Sequence, residues 1–135
     1  MVTSKKKLPP NWNYFQERLE DVSLLDRAVT IECDGTAADL AVPVGGKRRG
    51  GWIALKSLRL CRDAIRQLRG REGFPNLRIQ CTGAVPEYLV WWGDEMPDGV
   101  AERGRFFGYS EKAIQKYLKK RRAKDLRAGE GSGNS

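Results

Sequence analysis

Two short runs of alternating apolar residues, Leu40 to Val44 and Trp52 to Leu55, are joined by Gly45-Gly46-Lys47-Arg48-Arg49-Gly50-Gly51. Alternation with a period of two is the pattern of a strand with one covered face. Glycine admits backbone angles that other residues avoid. The segment therefore predicts a flexible connection between two strands, with three cations at its tip. Pro43 has no N–H to give to a ladder, so the first strand is expected at an edge or a bulge. Adjacent cations offer donors to an anion such as phosphate. The alternative is a mobile, exposed turn.

The rest of the chain gives the order α-β-β-β-α-β-β-α. A helix over 13–27 follows from one apolar stripe, Phe15, Leu19, Val22 and Leu25. Residues 28–33 alternate, and Asp34-Gly35 is turn chemistry. Ser57 can cap a helix over 58–69, whose inner face is Leu58, Cys61, Ile65 and Leu68, and Gly70 stops it. Strands follow over 77–81 and 88–92, then an acidic loop over 93–99. Ser110 can cap a last helix with Ile114, Tyr117 and Leu118 inward. Short connections favour antiparallel neighbours. The expected fold is α+β: a mostly antiparallel five-stranded sheet with three helices, mainly on one face. Residues 1–12 are expected to form a mobile basic arm, 13–118 a single domain and 119–135 a basic, disordered tail.

The net charge of +8 is uneven: +3 over 1–11, −5 over 12–44, +7 over 45–72, −2 over 73–109 and +5 over 110–135. Localised positive charge points to a polyanionic partner, although it also serves solubility. Arg59, Arg62, Arg66 and Arg69 lie along one flank of the middle helix. They form either a phosphate-contacting row or a solvated face partly paired by Asp63. The nucleic-acid contacts expected on this reading are Lys47, Arg48 and Arg49 in the loop, the four helix arginines, and Lys119, Lys120, Arg121 and Arg122 as a non-specific anchor. Strand parity places Trp52, Trp91 and Arg78 on the sheet face away from the helices. That face suits base stacking or a protein partner, unless the arm or an acidic loop covers it.

Catalysis has less support. The chain has no histidine, which removes the commonest general base and every Ser-His or Cys-His pair. Cys33, Cys61 and Cys81 form no C-x-x-C pair, and parity assigns each to the core. Asp94, Glu95 and Asp98 lack the spacing of a calcium loop. No metal, cofactor or catalytic residue is expected, although an enzyme using carboxylates or lysine stays open. Neither a leader peptide nor an apolar run of membrane-spanning length is visible, so a cytoplasmic setting is expected.

Several segments together resemble an uncharacterised family of small actinobacterial proteins, a domain of unknown function. They are Asn13-Tyr14-Phe15 with Arg18-Leu19 and Leu24-Leu25, then Ala41 to Gly46 with Arg48-Arg49-Gly50-Gly51. Gly73-Phe74-Pro75 with Leu77-Arg78, Trp92-Gly93, and Gly104 to Glu111 with Ala113-Ile114 complete the set, over roughly residues 13–118. The resemblance leaves the lysine-rich ends outside. It implies a shared fold, a bacterial cytosolic setting and an accessory role of the plasmid or phage kind, not a reaction. On this reading the chain is a small basic protein that binds nucleic acid. The alternative is a protein–protein module that inhibits or adapts a host protein.

Overall fold

The computed structural model describes residues 11–33, 36–84 and 88–133. The basic arm lies outside them except for Asn11 and Trp12. The chain is α+β, but its strands form two small antiparallel sheets instead of one. Strands β1 (Val29–Cys33) and β2 (Thr36–Ala41) make a hairpin with a register shift between Ile31 and Glu32. Strands β3 (Gly50–Leu55), β4 (Arg78–Cys81) and β5 (Tyr88–Gly93) make the second sheet in the order β3-β5-β4.

The split has a local cause. The sequence reading pairs 40–44 with 52–55, but β2 ends at Ala41, just before Val42 and the N–H-less Pro43. The backbone groups that follow are taken elsewhere. Val44 N donates to Gly73 O (2.9 Å) and Arg49 N to Phe106 O (2.7 Å), while Arg49 O accepts from Asp94 N (3.0 Å). Those groups are therefore not free to extend a ladder between the two sheets.

Helix α1 (Trp12–Arg18) is shorter than expected, and a 3-10 turn spans Val22–Arg27. The break is set by pairing: Leu19 bridges Tyr109, Glu20 N donates to Gly108 O (2.9 Å) and Ser110 N to Arg18 O (2.8 Å). Asp21 then caps the 3-10 turn by accepting from Ser23 N. Helix α2 (Leu58–Leu68) is capped by Ser57, whose Oγ accepts from Leu60 N at 3.2 Å. It lies over both sheets. Its Gln67 side chain exchanges hydrogen bonds of 3.0 and 3.1 Å with the backbone of Glu32, where the β1 register shifts.

Helix α3 (Val100–Phe106) falls where the sequence reading places no element; Gly99 precedes it and Gly104 sits inside it. Gly104 is tolerated because Ile114 occupies the place of a side chain, 2.7 Å from where a Cβ would stand. Helix α4 (Glu111–Gly133) starts at Ser110, whose Oγ accepts from Ala113 N (3.1 Å). It is continuous through Lys119–Arg122, the segment assigned above to a disordered tail. Lys, Arg, Ala and Leu dominate 118–124, and all favour helix.

Two apolar clusters result. Ile31, Ile53, Leu55, Cys61, Leu68, Val90 and Trp92 lie between α2 and the strands. Leu19, Leu24, Leu25, Leu40 and Val42 pack beneath α1. No helix among the described residues is long and apolar enough to cross a membrane. Ile53, 1 % exposed in the first cluster, sets a stability test. Ile53→Ala should cost about 2–5 kcal/mol, read as a lower urea midpoint with an unchanged slope.

Candidate functional site

The glycine segment is a tight turn, closed by Gly45 N to Arg48 O (3.0 Å) and Arg48 N to Gly45 O (2.9 Å). Gly46 sits at φ +54, where glycine is favoured. Its three cations behave differently. Lys47 Nζ lies 3.1 Å from Glu20, and Arg49 lies 3.7 Å from Asp94. Arg48 is not at the exposed tip where the sequence reading expects it: it is only 4 % exposed.

The cause is what surrounds it. Arg48 Nη1 donates to Phe107 O (2.8 Å) and Nε to Val42 O (3.3 Å). Its guanidinium carbon lies 5.5 Å from the Phe15 ring centre and 5.9 Å from that of Phe107. The second glycine pair serves packing: a Cβ on Gly50 would stand 2.5 Å from Phe106 Cζ, and one on Gly51 would meet Arg48 and Trp92. Burial lowers the Arg48 pKa to about 10, partly offset by a hydrogen bond with Tyr109. Burial also raises the Tyr109 phenol, which therefore stays neutral.

On α2, Arg59, Arg62, Arg66 and Arg69 are all exposed, and Arg66 contacts Asp63 at 3.3 Å. The cavities that the turn lines have none of these arginines in their walls. Lys47 and Arg49 instead share a cleft of about 620 Å³ with Glu20, Asp94, Glu95, Glu102 and the Arg105–Glu111 pair. The turn is thus an acid-paired element, and its cations share none of these cavities with the α2 row.

Helix α4 assembles a different constellation. Residues 113, 117 and 121 form one i, i+4 row and 112, 116 and 120 the adjacent one. The first row, with α1 and α3, lines a groove of about 280 Å³ whose walls include Tyr14, Trp52, Phe107, Tyr109 and Tyr117 with Arg18, Arg103 and Arg121. Tyr14, Trp52 and Tyr117 are 46, 44 and 54 % exposed, uncommon for rings of that size. The second row lines a neighbouring groove of about 390 Å³ with Lys112, Lys116, Lys120 and Arg18, where Glu17 lies 3.6 Å from Arg18 as the acid in the wall. Arg18, Ala113 and Tyr117 belong to both walls. Arg18 also stacks over Tyr14 at 3.9 Å. Of the expected anchor, Lys120 and Arg121 reach these grooves, while Lys119 and Arg122 are exposed on α4 outside their walls.

A profile for a family of unknown function, DUF6302, matches residues 4–131 of the chain. The chain belongs to that family. The match takes in both lysine-rich ends, which the resemblance left outside, and so contains both α4 rows of the DUF6302 grooves. No curated protein and no solved structure is significantly similar to the chain.

Elsewhere in this DUF6302 chain, Trp52 and Trp91 face each other across β3 and β5, their ring centres 6.1 Å apart. Trp91 Nε1 donates to Gln80 Oε1 (2.7 Å). Arg78 is pinned by Gly93 O and Asp94 O, each at 3.0 Å. Cys61 is buried, which raises its thiol pKa, and Cys33 is half-buried. Cys81 is exposed, against the expectation of three core thiols, because β4 is an outer strand whose Ile79 is also 37 % exposed. Among the described residues no group of His, Cys, Asp or Glu is placed to hold a metal ion.

The turn yields a contrast. Arg48→Ala removes a buried cation and strands the Phe107 carbonyl. It should cost about 1–3 kcal/mol. Lys47→Ala and Arg49→Ala break only surface pairs and should each shift stability by less than about 1 kcal/mol. Urea unfolding of the three variants checks both.

Proposed function

We propose that this protein is a cytoplasmic, non-enzymatic accessory protein that binds single-stranded nucleic acid along α4. The observation that carries the reading is the row of Lys112, Lys116 and Lys120 lying beside exposed aromatic rings, with Arg18 and Tyr117 common to both. Strand binders combine a basic track for the backbone with aromatic faces on which bases stack. Here the lysine row with Arg18 takes phosphates, and Tyr14, Trp52 and Tyr117 take bases. Lys119 and Arg122 extend the positive surface along the same helix, and the net charge of +8 draws in the strand from a distance. The exposed α2 arginines strengthen that field without sharing the groove. The absence of histidine supports a binding role over a catalytic one.

The test is fluorescence anisotropy with an oligothymidylate about a dozen nucleotides long at about 50 mM salt. The parent should bind, and its log–log salt slope should fall by about 0.7 for each phosphate contact removed. Lys112→Ala, Lys116→Ala and Lys120→Ala combined should therefore flatten the slope by about 2. Tyr117→Ala should weaken binding by about 1–3 kcal/mol with little change of slope. No binding at low salt, or a triple variant that binds like the parent, overturns the reading.

The exposed Trp52, seated against Trp91, favours one second reading: a face for a protein partner. That reading expects a protein retained after nuclease and high salt and lost in Trp52→Ala.

A further inference from the structure

Behind the aromatic groove is a smaller chamber of about 190 Å³. It shares Tyr14, Trp52, Phe107 and Tyr109 with the groove, so the two spaces adjoin across common walls. Its volume equals that of roughly six liquid waters, the scale of one flat ring system. Two opposite charges stand in its wall, Arg48 and Asp39.

Neither charge is neutralised by the other. No described carboxylate pairs with Arg48; the donors it uses go to neutral acceptors, the Val42 and Phe107 carbonyls and the Tyr109 hydroxyl. A guanidinium has five N–H groups, so donors remain for a ligand. Asp39 accepts from Asn11 Nδ2 (2.7 Å), Leu40 N (2.8 Å) and Ala54 N. A carboxylate offers about four lone-pair sites, which leaves space for one more donor. A buried, uncompensated cation is costly to keep, and a ligand that supplies acceptors offsets that cost.

The chamber therefore suits a flat, neutral molecule that offers two acceptors to a guanidinium fork and a donor to a carboxylate. Guanine meets all three conditions: O6 and N7 accept from arginine, the ring carries N–H donors on the adjoining edge, and both faces stack on aromatic rings. We propose that this chamber reads a single guanine of the bound strand, with Arg48 on the O6/N7 edge and Asp39 on the N–H edge. The proposal rests on the strand-binding reading for delivery of the base, but the chamber chemistry stands by itself.

Two arms separate the two ideas. In the first, one thymidine of the oligothymidylate is replaced by dG, dA or dC and anisotropy is repeated. One dG should tighten binding by about tenfold or more, dA and dC should not, and Asp39→Asn should abolish the gain while circular dichroism shows the variant folded. In the second, free GMP and AMP are titrated and tryptophan quenching is followed, because Trp52 lines the chamber. GMP should saturate at lower concentration than AMP, and Asp39→Asn should remove the difference. Strand binding without guanine preference, together with equal GMP and AMP curves, overturns the chamber and leaves the groove. A GMP preference without strand binding keeps the chamber and overturns the strand reading. A dG gain that survives in Asp39→Asn also overturns the assigned recognition.

Discussion

A single buried cation organises the molecule. Arg48 holds the carbonyl of Val42, at the exit of β2, and that of Phe107, at the end of α3, with the rings of Phe15 and Phe107 close to its guanidinium. Segments far apart in the chain are thereby fixed around one side chain. The glycines nearby follow from it: a Cβ on Gly108 would stand 2.6 Å from Arg48 Cβ. The aromatic groove is assembled on the same support, since Phe107 and Tyr109 are at once neighbours of Arg48 and walls of the groove. A charge without a carboxylate partner is an expensive brace, and its satisfaction by neutral acceptors is what makes it tolerable.

Charge is sorted by sign and by region. Around the turn, Lys47, Arg49 and Arg105 each meet a carboxylate, and together they rim an acid-rich cleft. Along α4 the lysines of one row stand beside rings that water would ordinarily drive inward. The sequence total of +8 hides this division, because a sum over the chain weights a paired arginine and an unpaired lysine alike.

The elements governed by neighbours in sequence were legible. The Ser57 and Ser110 caps, the stop at Gly70 and the parity that puts Trp52 and Trp91 on one sheet face all follow from local spacing; that α1, α3 and α4 border Trp52 on that face does not. What escaped depends on partners distant in the chain. Three adjacent basic residues look alike on paper, yet only Arg48 has the Val42 and Phe107 carbonyls within reach. The connection between β2 and β3 does not zip into a ladder: Gly73, Asp94 and Phe106 take backbone groups of Val44 and Arg49, and Gly45 and Arg48 pair with each other. The lysine row of α4 has a four-residue spacing in the sequence, but the sequence reading singled out only the run 119–122. The rings of the neighbouring groove come from residues 14, 52 and 107 as well as 117, and no local pattern ties them together.

The Val42 carbonyl accepts twice, from Trp92 Nε1 at 3.0 Å and from Arg48 Nε at 3.3 Å. Val42 belongs to the cluster beneath α1, and Trp92 to the one beneath α2. One oxygen thus rivets the two hydrophobic compartments. Loosening either compartment leaves the other short of a hydrogen-bond partner, so this small protein should melt as one cooperative unit despite its divided strands.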